Sequence, residues 1–116
     1  MSSQITLNLL EGSVRMSFSV NAARELKAAL GDLVSKLKAI ALAKSGRSGA
    51  ISPQKPMEFR HAGEIFLEVF CNPNIWPSPF AAKVLLTVRD DRIRLSTEAE
   101  LTRLIEDVNQ YLEQVD

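Results

Sequence analysis

The sequence predicts a single α+β domain in which a mostly antiparallel sheet packs against two helices. Residues 13–20 alternate between apolar and polar side chains, and this period of two is typical of a half-buried strand. Residues 21–44 and 97–115 instead carry apolar side chains at spacings of three and four, as amphipathic helices do. A chain of 116 residues that is 46% hydrophobic and 24% charged has the size and composition of one domain with its own core, here 1–116.

Five strands are predicted in all, and the order along the chain is β-β-α-β-β-β-α. Their predicted ranges are 5–11, 13–20, 64–71, 83–89 and 92–96. Glu11-Gly12 suits the first hairpin turn because glycine tolerates a positive φ, and Asp90-Asp91 is a predicted two-residue turn in the last hairpin. One sheet of about five strands with both helices on one face would bury every apolar stripe.

Each predicted helix has a candidate N-terminal cap. Ser19 or Asn21 precedes the first apolar stripe, and either side chain can accept a hydrogen bond from the first turn. Thr97 followed by Glu100 has the spacing of a capping box, so the second helix is predicted to begin there. The acidic residues of this last segment, Asp107 among them, are interpreted as a solvated face.

A long loop is predicted between the first helix and the third strand. Residues 45–56 contain two glycines, two prolines and three serines with no apolar period, so we expect a flexible loop over about 45–58. The loop is basic. Its candidate anion-binding side chains are Lys44, Arg47, Lys55 and Arg60.

Charge is distributed unevenly although the formal net charge is zero. Residues 21–61 hold eight basic and three acidic side chains, whereas residues 62–116 hold five basic and ten acidic ones. Two interpretations of this distribution are open. In one, it attracts an anionic partner or a second copy of the chain; in the other, the two halves neutralise each other on one folded surface.

The cytoplasm is the expected location. The single cysteine, Cys71, cannot form an internal disulfide, which excludes a disulfide-stapled secreted scaffold. The N-terminal residues lack the pattern of a signal peptide, and no apolar run approaches the roughly 20 residues that span a bilayer.

No motif in the chain predicts catalysis, a metal or a cofactor, so the expectation is a protein that is not an enzyme. His61 is the only histidine and has no second ligand at metal-binding spacing. Along one extended stretch, His61 and Cys71 would lie roughly 33 Å apart, and only a sharp turn at Ala62-Gly63 would bring them together as a base and a nucleophile. Gly46 and Gly49 lack the lysine that a phosphate-binding loop requires.

The candidate functional surface is the sheet face that points away from the helices. In a two-residue hairpin Arg89 pairs with Arg92, and Thr87 pairs with Arg94, so the arginines share this face with aromatic side chains and with polar residues of the first hairpin. The candidate residues are Phe66, Phe70, Leu85, Arg89, Arg92 and Arg94.

Two functions follow from this surface. An apolar strip of Phe66, Phe70, Leu10 and Leu85 predicts a protein interface, most simply a homodimer. The alternative is single-stranded nucleic-acid binding, in which bases stack on the phenylalanines and the arginines hold phosphates. Trp76, in a loop with three prolines, is a further candidate anchor for a partner or a plug for the core.

Overall fold

The computed structural model of the chain describes residues 3–45 and 53–115. Within these residues there are six strands and two helices, so the α+β prediction is confirmed. The strands are β1 (Gln4–Asn8), β2 (Ser13–Ser17), β3 (Met57–Ala62), β4 (Phe66–Cys71), β5 (Lys83–Arg89) and β6 (Arg94–Glu100), and the helices are α1 (Val20–Ser45) and α2 (Leu101–Val115). A short 3₁₀ turn covers Pro73–Ile75.

The strands form two antiparallel sheets, so the prediction of one five-stranded sheet was wrong. β1 and β2 make a separate hairpin, and β3-β4-β5-β6 make a four-stranded meander. The hairpin packs against α2. There the backbone N–H of Asn8 donates to Oδ2 of Asp107 at 2.7 Å, and its side-chain amide donates to Oδ1 at 2.8 Å. Asp107 is 3% exposed, so its interpretation as part of a solvated face was also wrong.

β3 is the strand that the sequence did not predict. It pairs with β4 along its full length, from Met57 opposite Cys71 to Ala62 opposite Phe66. Met57 and Phe59 are buried and His61 is half-buried, whereas Glu58, Arg60 and Ala62 are exposed, which is the alternation of a half-buried strand. The predicted loop over 45–58 therefore ends before 57. Residues 46–52, with Arg47, lie outside the described residues.

The hairpin of β5 and β6 has a four-residue connection, 90–93, where two residues were predicted. Asp90 stabilises this connection through three hydrogen bonds. Its N–H donates to the carbonyl of Ile93 at 2.9 Å, and its Oδ1 accepts from the N–H groups of Arg92 and Ile93, each at 2.8 Å. Arg89 consequently pairs with Arg94, two positions beyond the predicted partner. Because a shift of two residues keeps every side chain on its face, the predicted faces survive although the pairing was wrong.

α2 begins at Leu101, and the predicted capping box does not form. Thr97 and Glu100 belong to β6, opposite Leu86 and Lys83. The N–H of Leu101 donates to the carbonyl of Ala82 at 3.0 Å, at the junction between β6 and α2. Pairing with β5 gives the backbone of 94–100 a ladder of hydrogen bonds on one side, and this pairing prevails over the local preference for a helix start.

α1 matches its prediction at both ends. Ser19 is its N-terminal cap, since its Oγ accepts from the N–H of Ala22 at 3.1 Å. The buried leucines of α1 join one core with α2, the hairpin and the inner face of the four-stranded sheet; they are Leu26, Leu30, Leu33 and Leu37. Ile40, one turn further along the helix, is also buried. Neither described helix is long and apolar enough to cross a membrane.

Candidate interaction surface on the four-stranded sheet

The candidate functional site is the outer face of the four-stranded sheet, formed by the alternate residues that point away from the core. The strand register arranges them in four rows that run across the strands. Row 1 is Ala62, Phe66, Arg89 and Arg94; row 2 is Arg60, Glu68, Thr87 and Ser96; row 3 is Glu58, Phe70, Leu85 and Glu98; and row 4 is Lys83 and Glu100.

Apolar side chains occupy the middle of the outer face, on the two interior strands. Leu85 is 45% exposed, and its cross-strand neighbour Phe70 is half-buried. Phe66 is half-buried as well, because the guanidinium carbon of Arg89 lies 4.2 Å from its ring centroid in a cation–π contact. Thr87 is 7% exposed, so water is already largely excluded at the centre.

Charge on the outer face is balanced in total but segregated along the strands. Row 1 carries two arginines and no acidic residue, whereas row 3 carries two glutamates and no basic residue. Row 2 contains one ion pair, in which Nε of Arg60 donates to Oε2 of Glu68 at 2.7 Å. This hydrogen bond and the charge of Glu68 raise the pKa of Arg60. Row 4 is balanced too, since Lys83 pairs with Glu100.

The structure brings most of the predicted surface residues together. Phe66, Phe70, Leu85, Arg89 and Arg94 all lie on the outer face, joined by Arg60. A shallow depression of about 580 Å³ lies above Arg60, Phe66, Glu68, Thr87, Arg89 and Arg94.

Arg92, Leu10 and the polar residues of the first hairpin were predicted on the outer face and are absent from it. Leu10, part of the predicted apolar strip, lies in the connection between β1 and β2, which form a separate sheet. Arg92 lies in the 90–93 connection, because that connection is two residues longer than expected. Thr6 and Arg15 belong to the separate hairpin, where Nε of Arg15 donates to Oγ1 of Thr6 at 3.2 Å. The acidic row 3 was not predicted, since Glu58 was assigned to a loop and Glu98 to a helix.

The basic side chains assigned to the long loop do not act as one group in the described residues. Lys44 is exposed near the end of α1, and Lys55 is exposed just before β3. The backbone of Gln54 next to it is fixed, because its N–H donates to Oδ1 of Asn74 at 2.9 Å and its carbonyl accepts from Nδ2 of Asn74 at 2.7 Å. Arg60 belongs to β3 and to the outer face.

Trp76 packs partly against the core and is half-buried. The same loop instead exposes Ile75 at 65% and Phe80 at 84%. Among the apolar side chains of this loop, these two are therefore more accessible to a partner than Trp76.

His61 and Cys71 do not form a catalytic pair. The turn at 63–65 does fold the chain back, but His61 pairs with Leu67 and Cys71 with Met57, four positions further along the ladder, or about 13 Å away. Burial raises the pKa of Cys71 to about 11, with a smaller opposing effect from a hydrogen bond to Trp76. The thiol is therefore protonated near neutral pH and is a poor nucleophile. Nowhere in 3–45 and 53–115 do three or more His, Cys, Asp or Glu side chains group as metal ligands.

No protein-family model, curated protein or solved structure matches this chain. Its function is therefore inferred from the outer face itself. The strongest features of that face are an apolar centre on the interior strands and two ends of opposite charge.

Proposed function

We propose that this chain is a non-enzymatic binding domain that acts through protein–protein contacts and associates with a second copy of itself through the outer face. The observation that carries the proposal is the exposure of Leu85, 45%, on an interior strand beside Phe70 and on the same face as Phe66. The uncovered face of an antiparallel sheet is ordinarily polar. Apolar side chains at its centre, rimmed by charged ones, have the anatomy of a protein interface.

Self-association suits the charge of the outer face better than a partner of one dominant sign. The face carries as many acidic as basic side chains, so neither a strongly acidic nor a strongly basic partner finds a complementary surface. A second copy offers both signs, and a symmetric dimer uses the same surface on each subunit. We propose the cytoplasm as its location, in keeping with a chain whose one cysteine is a free, buried thiol.

The test of the interface replaces one apolar side chain at its centre with a charged one. We expect Leu85→Lys to weaken self-association at least about a hundredfold, because it buries an ammonium group among the apolar side chains of the interface. Leu42→Lys is the matched control, since Leu42 is 74% exposed on α1 and lies outside the outer face. Sedimentation velocity at several protein concentrations measures both. A Leu85→Lys variant that dimerises as well as Leu42→Lys overturns the proposed interface.

Single-stranded nucleic-acid binding is the alternative, favoured by the basic row 1, in which Arg89 and Arg94 lie on the same face as Phe66. Two contacts count against it. Arg89 already covers the ring of Phe66 that a base would stack on, and Glu68 already holds Arg60. Fluorescence anisotropy with a labelled oligonucleotide distinguishes the two functions. Binding that falls steeply between about 50 and 200 mM salt, and is abolished by Arg94→Glu, would favour the alternative.

A further inference from the structure

Resting on this proposed self-association, we infer that two copies stack outer face on outer face with their strands antiparallel, about a twofold axis that runs along row 2. The inference follows from where the charges lie along the strands. Row 1 carries two positive charges and row 3 carries two negative ones, with row 2 between them.

The direction of the twofold axis decides which rows meet. Rotation about an axis that runs across the strands turns the face over and reverses the strand direction, so row 1 of one copy lies on row 3 of the second. Rotation about an axis along the strands lays row 1 on row 1, which brings four arginines together and four glutamates together. Juxtaposed like charges strongly disfavour that second arrangement.

The two charged ends are far enough apart to act separately. Rows 1 and 3 are four residues apart along the strand, or about 13 Å, which exceeds the screening length of about 8 Å at physiological salt. Each end therefore interacts mainly with the row placed directly on it. The favourable ion pairs form only in the antiparallel stacking.

The axis along row 2 places each strand on the same strand of the second copy. Arg94 then faces Glu98 of the second copy, and Arg89 faces Leu85 of the second copy. Phe66 faces Phe70 of the second copy with the guanidinium of its own Arg89 over its ring. Each contact occurs twice by symmetry. Aligned sheets cross at about 30° and lie about 10 Å apart, a geometry that keeps these partners in facing rows near the axis.

Row 2 is suited to lie on the axis. Its side chains on β5 and β6, Thr87 and Ser96, are short, so the two sheets can approach closely there. On β3 and β4 the axis places Arg60 on Arg60 and Glu68 on Glu68 of the second copy. Each guanidinium offsets this like-charge contact through the ion pair with its own Glu68 at 2.7 Å, so the four groups around the axis carry no net charge.

Charge reversal at row 1 and row 3 tests the stacking. At about 50 mM salt, we expect Arg94→Glu or Glu98→Arg alone to weaken self-association at least about tenfold, because each reversal makes two attractive contacts repulsive. The variant that carries both changes regains attraction at both contacts and should return to within about threefold of the wild-type dissociation constant. A mixture of the two single variants should form a one-to-one heterodimer for the same reason.

The controls separate failure of the stacking from failure of self-association. Lys38→Glu, on the exposed side of α1, changes the net charge as Arg94→Glu does and should leave the dissociation constant unchanged. Circular dichroism checks that each variant is folded. A wild-type protein that stays monomeric would contradict both the proposed self-association and the stacking. Two results would overturn the antiparallel stacking alone, provided that the wild type is a dimer and Leu85→Lys dissociates it. One is that the single reversals leave the dimer intact, and the other is that the double reversal fails to restore it.

Discussion

Asp107→Asn tests the link between the β1-β2 hairpin and α2. The substitution keeps the volume of the side chain but replaces one carboxylate oxygen with an NH₂ group. Both oxygens of Asp107 accept from Asn8, from its backbone N–H at 2.7 Å and from its side-chain amide at 2.8 Å. An asparagine at 107 offers one neutral acceptor to the backbone N–H, and its NH₂ group faces the side chain of Asn8, whose amide must turn over to accept from it.

The magnitude follows from the burial and the charge of this group. A hydrogen bond to a charged acceptor contributes about 1.5–3 kcal/mol. Asp107 is 3% exposed, so water replaces little of what is lost. Replacing the charged acceptor by neutral groups in both bonds, together with loss of the ion pair between Arg103 and Asp107 at 3.6 Å, predicts a decrease of about 1–3 kcal/mol in the free energy of unfolding.

Urea unfolding followed by circular dichroism measures this decrease. Glu106→Gln is the matched control, since the neighbouring Glu106 is 70% exposed and has only a 3.8 Å contact with Arg103. We expect a change of less than about 0.5 kcal/mol for the control. A loss below about 1 kcal/mol for Asp107→Asn would refute the reasoning that Asn8 depends on this carboxylate.

Two further predictions concern pH. The N–H groups of Arg92 and Ile93 lower the pKa of Asp90. Its contribution to stability is therefore present above the unfolded-state pKa of about 3.9 and is lost as the pH falls through the lower folded-state pKa. As the pH falls below about 4, Asp90→Asn should lose less stability than wild type, and an unchanged profile in acid urea melts would contradict the turn geometry. Burial raises the pKa of Cys71 from 9.0 to about 11. Wild type should therefore lose stability relative to Cys71→Ala as the pH rises from about 9 to 11, and parallel profiles would contradict that burial.

The strands whose side chains alternate strongly could be read from the sequence. β4 alternates between buried and half-buried residues as predicted, and β5 has the predicted bounds. The faces of β5 and β6 were also predictable although their register was not. The length of the turn sets the register between the two strands, whereas the alternation of apolar and polar residues determines which face of the sheet each side chain lies on.

Competition between local and tertiary preferences explains the misplaced start of α2. Thr97 and Glu100 have the spacing of a helix start, but the same segment alternates so that Ala99 is buried and Glu98 is exposed. The hydrogen bonds to β5 decide whether this segment forms a helix start or a strand. A local sequence pattern does not show which strand will pair with the segment, so it cannot decide between these two structures.

The acidic end of the outer face was missed for the same reason. Glu58 lies on the face only because β3 forms, and this six-residue strand follows a proline-containing segment without periodicity. Glu98 reached it only because β6 extends to Glu100. The basic end lies on strands that were predicted. The sequence alone therefore predicted the basic, aromatic part of the surface but not its acidic end.

Static light scattering of the unmodified protein over a range of concentrations tests self-association most directly. The chain mass is 12.8 kDa. We predict a mass that rises with concentration to a plateau at about twice this value, as a symmetric dimer requires, in samples free of nucleic acid. A mass that stays at that of one chain up to millimolar concentration would contradict self-association through the outer face.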